Sequence, residues 1–154
     1  MYQHILLAVA LQQSEEFSAH ALSTREAAVA LAKGSGARLS VLSIYDYGQM
    51  ESLSLPPEEM GRYRESQMNQ IDSLMETKMK AFLVGVQEMD LPLTPLLKAG
   101  DPRELIVATA ETLGVDLLVI GAHSKRGFLD GLLGGTAAHV NRDAPCPVVM
   151  VQPR

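Results

Sequence analysis

Two short apolar runs constrain the fold of this chain more than any other feature: Ile5-Leu6-Leu7-Ala8-Val9-Ala10 and Val115-Asp116-Leu117-Leu118-Val119-Ile120. Each is too short for a stable helix and shows little of the apolar–polar alternation of a strand with one wet face. Runs of this kind fit strands buried on both faces, which is the condition of a parallel sheet covered by helices on either side.

The segments between and around these runs supply the helices. Residues 18–33 are rich in Ala, and Ala21, Leu22, Ala28, Val29 and Leu31 mark an apolar face that ends at Gly34-Ser35-Gly36. Residues 38–45 read as the second strand. Residues 46–57 form a polar connection with Gly48, Pro56 and Pro57, a long irregular stretch where insertions and mobility are expected. Pro57-Glu58-Glu59 opens a long helix whose buried stripe is predicted at Met68, Ile71, Met75, Met79, Phe82 and Val86. Core filling is the preferred reading of its methionines, because the flexible thioether packs irregular gaps. Residues 91–97 read as a third strand, placed at a sheet edge by Pro92 and Pro95. Gly100-Asp101-Pro102-Arg103-Glu104 is a helix start, with Asp101 as cap, Pro102 in the first turn and Glu104 reaching back. That helix runs to Gly114. A fourth strand over 116–120, a short helix over 136–142 and a fifth strand over 146–151 complete the chain.

Strands alternating with helices predict an α/β fold: a mostly parallel open sheet with helices on both faces, in one domain over residues 1–154. Ligands of such folds bind outside the carboxyl ends of the strands, where strand order reverses. The segment from Gly121 to Thr136, Gly-Ala-His-Ser-Lys-Arg-Gly-Phe-Leu-Asp-Gly-Leu-Leu-Gly-Gly-Thr, stands at such a place between a buried strand and a helix. Glycine lets a backbone approach a phosphate closely, and helix N-termini present N–H groups with partial positive charge.

The net charge of −5 disfavours a nucleic-acid surface. Lys125 and Arg126 form the only basic pair inside the glycine-rich loop; a phosphate contact and a solvated loop tip are both open for them. The single cysteine, Cys146, excludes an intrachain disulfide and suits a reducing compartment; a packed, inert thiol is the expected role. Residues 1–7 look like a strand rather than a signal peptide, and no apolar run approaches the ~20 residues needed to span a bilayer. A cytoplasmic protein without membrane insertion is expected. His4 and His20 show no ligand spacing, His139 lies on the short helix, and with one cysteine a metal site has little support.

Four segments together resemble the universal stress protein family: Gly100-Asp101-Pro102-Arg103-Glu104-Leu105-Ile106, Gly114-Val115-Asp116-Leu117-Leu118-Val119-Ile120-Gly121, Leu132-Leu133-Gly134-Gly135-Thr136-Ala137-Ala138-His139-Val140, and Ala144-Pro145-Cys146-Pro147-Val148. The opening strand and helix match as well, so the resemblance covers the chain. It implies a three-layer α/β/α fold with a five-stranded sheet in the order 3-2-1-4-5. It also implies a nucleotide-binding pattern of Gly, two residues, Gly, nine residues, Gly, then Ser or Thr. On this chain the outer glycines are Gly121 and Gly134. The second Gly falls on Ser124 and the Ser/Thr position on Gly135, with Thr136 one place late. ATP-binding members end the first strand on an aspartate; here that position is Ala10.

The same resemblance implies the roles. Ala8, Val9 and Ala10 would line the adenine wall, and the backbone of Ile44 would read the base. Gly121, Ser124 and Lys125 would border the ribose and α-phosphate, with His123 either touching a phosphate or lying exposed in the loop. Gly134, Gly135, Thr136 and Ala137 would present N–H groups to the terminal phosphates. The expected ligand is ATP or another adenine nucleotide. Mg²⁺ is left unassigned, since Ala10 offers no carboxylate to help hold a metal. No Walker-type loop, nucleophile elbow or His-Glu-x-x-His pattern appears, so the expected function is a nucleotide-sensing stress-response protein rather than an enzyme, slow hydrolysis by positioning aside. The rival is a nucleotide-independent interaction module, favoured by the departures at Ala10, Ser124 and Gly135. The resemblance further implies a homodimer through the last strand at Val148, Val149, Met150 and Val151, alongside an unidentified regulatory protein partner.

Overall fold

The computed structural model describes residues 1–12, 16–48, 55–121 and 135–152. Strands and helices alternate through them: β1 (His4–Ala8), α1 (Ala19–Ser35), β2 (Arg38–Tyr45), α2 (Pro57–Gln87), β3 (Leu93–Ala99), α3 (Pro102–Leu113), β4 (Leu117–Gly121), α4 (Gly135–Asp143) and β5 (Val148–Val151). The sheet order is β3-β2-β1-β4-β5 and every pairing is parallel. The expected α/β fold with a 3-2-1-4-5 sheet is therefore what forms, and the sheet is wholly rather than mostly parallel.

The unbroken apolar runs bury on both faces of the sheet. On one face Ile5, Leu7, Leu39, Val41, Leu117 and Val119 pack against Ala28, Val29 and Ala32 of α1 and Met75, Met79 and Phe82 of α2. On the other, Leu6, Ala8, Leu42, Leu118 and Ile120 pack against Ile106 and Ala110 of α3 and Ala137 and Val140 of α4. Burial of each large aliphatic side chain stabilises the fold by roughly 1.5–3 kcal/mol, so β1 and β4 anchor both layers at once.

Local signals set the helix ends. The Ser18 hydroxyl accepts from the Ala21 N–H at 3.0 Å, capping α1, and Gly36 stops it in the left-handed region at φ 68°. Asp101 accepts from the Arg103 N–H at 2.9 Å and Pro102 fills the first turn of α3. Only Asp101's half of the expected capping box forms among the described residues. The stripe on α2 is buried at Met75, Met79, Phe82, Leu83 and Val86, whereas Met68 is 37% exposed. The N-terminal half of α2 extends beyond the sheet's cover, so helical spacing alone overran the core there. β3 begins two residues later than expected and is an edge strand bonded only to β2, which is why Pro95 is tolerated within it. β1 stops at Ala8, leaving Val9 and Ala10 beyond the strand.

The amino ends of the strands close on their own polar groups. The Asp116 carboxylate accepts from the Gln3 N–H at 2.8 Å and the His4 N–H at 3.0 Å. The buried His4 ring hydrogen-bonds Ser40 Oγ at 2.8 Å through Nε2 and meets the Arg38 guanidinium at Nδ1. Burial, and then the Arg38 charge, push His4 below its ordinary value of 6.5; the His4 amide, more than any other group, holds Asp116 below the usual carboxylate range. The half-buried Cys146 thiol is pushed up, first by burial and then by Asp116, which disfavours the reactive thiolate.

Candidate functional site

The opposite edge is built from small residues. β1 and β4 are neighbours, with Ala8 paired to Ile120. From β1 the chain leads through α1 to β2 on one side; from β4 it leads to α4 and β5 on the other. The carboxyl ends of β1 and β4 therefore flank the topological switch point, where the main chains diverge, the usual ligand position in folds of this kind.

The predicted wall residues meet there. Ala8 is buried at the end of β1, Val9 is half-buried with its N–H bonded to the Leu42 carbonyl at 3.0 Å, and Ala10 is exposed beyond it. Ile44 is half-buried near the end of β2, and Gly121 is half-buried as the last residue of β4. Gly135 begins α4 and is exposed, Thr136 follows half-buried, and the Ala137 side chain turns into the core between α4 and the sheet. The first N–H groups of a helix have no partner within it. Those of Gly135, Thr136 and Ala137 accordingly form the positive end of α4, whose first turn contains no acidic residue. His123, Ser124, Lys125 and Gly134 lie outside the described residues, as does the Lys125–Arg126 pair. Of the 46–57 connection, 49–54 lie outside as well.

Two residues that local spacing did not select stand against this edge. His20, in the first turn of α1, lays its ring over Gly121: a Cβ placed on Gly121 would fall 2.3 Å from the ring Nε2. Any side chain at the end of β4 would force the His20 ring to shift. Arg103, in the first turn of α3, lays its guanidinium against Gly135, where an added Cβ would fall 2.9 Å from a terminal nitrogen. Both side chains reach their positions through tertiary packing across many residues, a signal no local pattern carries.

The outer wall beside β2 is braced by α2. The Tyr45 and Tyr47 hydroxyls both donate to Asp72 Oδ1, at 2.6 and 2.8 Å. Burial first, then the Asp72 bond, hold the Tyr45 hydroxyl above its ordinary value; for Tyr47 the Asp72 bond comes first. Both hydroxyls stay protonated and fix α2 over the end of β2. Among the described residues no group of three or more His, Cys, Asp or Glu side chains is arranged to hold a metal ion, and no helix is long and apolar enough to cross a membrane.

Comparison with known proteins concerns the chain as a whole. The family model described as the universal stress protein family matches residues 1–152. A universal stress protein of Thermus aquaticus is 29% identical, the match covering 99% of this chain and all of that one. Universal stress protein MJ0577 of Methanocaldococcus jannaschii is 27% identical over a stretch covering 54% of this chain and 52% of its own. The solved structure of hypothetical protein MJ0577 superposes with a TM-score of 0.77 at 21% identity, covering 100% of this chain and 98% of that one. A universal stress protein family protein of Arabidopsis thaliana, solved with AMP bound, superposes with a TM-score of 0.62 at 17% identity, covering 99% and 92%. With a family match running from the first strand to the last, this chain belongs to the universal stress protein family.

Proposed function

We propose that the chain binds an adenine nucleotide at the carboxyl edge of β1 and β4 and acts as a dimeric sensor or regulator in a cytoplasmic stress response. The observation that carries this reading is the meeting of small residues and a helix N-terminus at the switch point. Ala8, Val9, Ala10 and Gly121 are small residues at the strand ends where a base and sugar would lie, and the first turn of α4, which contains no acidic residue, would face the phosphates. A relative of the same fold has been solved with AMP bound. Ala10 offers no carboxylate to orient a metal or a water, so binding rather than turnover is the expected activity, and Mg²⁺ has no assigned ligand here.

Isothermal titration with ATP, ADP and AMP, together with denaturing extraction of the purified protein for copurified adenylate, tests this reading. Saturable binding of one equivalent is expected. A flat titration and a nucleotide-free extract would instead favour the nucleotide-independent interaction module, to which the departures at Ala10, Ser124 and Gly135 already point.

The dimer is proposed to form through β5. Among the described residues this edge strand is bonded to β4 alone, and Val148, Val149, Met150 and Val151 are all only half-buried. An apolar edge strand invites pairing, and pairing with its own copy would give an isologous interface. Sedimentation should report a dimer at micromolar concentration, and Val149→Lys should convert it to monomer. A monomeric wild type overturns the assignment.

A further inference from the structure

Arg103 is placed where physical chemistry disfavours a cation. It occupies the first turn of α3, whose N-terminus carries partial positive charge, and its guanidinium also lies against Gly135 at the positive end of α4. No carboxylate among the described residues stands within ion-pair distance of it: the ion pairs found there are those of Asp143 with His139 and Arg142, at the far end of α4. The two acids beside it in sequence are otherwise placed. Asp101 caps the helix through its own side chain, and among the described residues Glu104 forms no ion pair with the guanidinium. An exposed arginine is free to extend into water, yet this one folds back onto a glycine backbone between two helix N-termini. An anion at that spot would meet the guanidinium fork and the first-turn N–H groups of α4 together, turning an unfavourable arrangement into a favourable one. Arginine suits the task, since its planar fork donates two parallel hydrogen bonds to a phosphate.

We propose that Arg103 is the phosphate-gripping, specificity-determining residue of this site, and that it makes the site selective for phosphorylated adenylates over the bare nucleoside. The proposal rests on the adenylate reading above and deepens it. Where Gly135 supplies no hydroxyl and Ala10 no carboxylate, the charge needed to hold phosphate comes from α3, outside the glycine-rich loop. The residue supplies binding energy only when phosphate is present, so its removal weakens ATP and ADP and spares adenosine.

The test is titration of adenosine, AMP, ADP, ATP and inorganic tripolyphosphate into wild type, Arg103→Gln and Arg103→Lys, with thermal unfolding as the control for folding. Wild type should bind more tightly as phosphates are added. Arg103→Gln should weaken ATP and ADP by about ten- to a hundredfold, the worth of hydrogen bonds to a charged group, while adenosine shifts less than about twofold. Arg103→Lys, which keeps the charge and loses the fork, should fall between. Equal losses for adenosine and ATP would make Arg103 a mere support of the loop and overturn the proposal. Unchanged ATP affinity in Arg103→Gln would overturn it while leaving adenylate binding intact. Tripolyphosphate binding that depends on Arg103, with no adenylate bound, would keep the phosphate role and remove the adenylate reading. Binding of neither adenylate nor tripolyphosphate to wild type would remove both.

Discussion

The two ends of the same strands are built on opposite plans. At the amino end Asp116, His4, Ser40 and Arg38 satisfy one another and the first amides of β1 within the chain. At the carboxyl end the chain places Ala8, Ala10, Gly121 and Gly135, and brings His20 and Arg103 up to the glycines. A polar group bonded internally contributes to stability and has nothing left for a ligand. Small residues with helix N-termini around them contribute little to stability, and under the adenylate proposal they serve the ligand instead. Under that proposal the two roles are separated along β1 by only the five residues from His4 to Ala8.

The largest effect should come from breaking the closed end. Asp116→Ala removes the acceptor of two backbone N–H groups, the Gln3 amide being the more exposed. A cost of about 1–3 kcal/mol is expected, lowering the melting temperature by roughly 2–4 °C per kcal/mol for a chain of this size. Adenylate affinity should not change. A loss of affinity beyond what unfolding explains would mean the two ends are coupled through β1 and β4.

Gly135→Val is the converse experiment. Its new side chain would press on the Arg103 guanidinium, the far end of a flexible chain that can swing into water, so stability should change by less than about 0.5 kcal/mol, as for ordinary surface substitutions. Binding should weaken by about tenfold or more, roughly 1.4 kcal/mol, because the guanidinium and the close backbone approach are lost together. Calorimetry and thermal melts on the same preparation separate the two readouts. Unchanged affinity would move the phosphates away from α4.

How much of each end was legible in the sequence follows from the range of the interactions. The helix start at Asp101-Pro102 and the stops at Gly36 and Gly114 depend on neighbours within one turn, and they stand where local chemistry put them. The doubly buried runs announced β1 and β4 because burial on both faces erases alternation. Met68 lies exposed against expectation because helical spacing says which face turns inward, not how far the sheet extends beneath it. His20 and Arg103 were not picked out as site residues: each touches its glycine only after α1 has packed by β4 and α3 beside α4. A nucleotide-binding pattern written in glycines says nothing of the side chains that rest on them.

A gentler effect sharpens the contrast through pH. His4 is held below its ordinary value of 6.5 by burial and by Arg38; the Leu113 carbonyl and the Asp116 charge oppose this and prevail only in part. Below pH 6.5 the unfolded chain therefore takes up a proton that the folded one refuses, and stability falls with pH until the folded His4 itself titrates. Asp116, whose folded value is depressed, adds a loss of the same sign at lower pH, as it is protonated. Denaturant melts between pH 7.5 and 5 should show this decline in wild type and a flatter profile in His4→Gln. An identical slope in both would assign the dependence to other groups.

The smallest effect tests where the contrast blurs, because Tyr45, Tyr47 and Asp72 form a closed network at the open end. Both hydroxyls donate to one oxygen of Asp72, so removing either leaves the carboxylate with a partner. The cost should then be near the net worth of a single hydrogen bond, about 0.5–1.5 kcal/mol, without the larger penalty of an orphaned buried group. Tyr45 is 8% exposed and Tyr47 is half-buried, so Tyr45→Phe should fall toward the top of that range and Tyr47→Phe toward the bottom. If the pair only braces α2 over the end of β2, neither change will alter adenylate affinity by more than about twofold, roughly 0.4 kcal/mol. A larger loss for Tyr47→Phe, the more exposed of the two, would place that ring in the ligand's wall and extend the open end outward along β2.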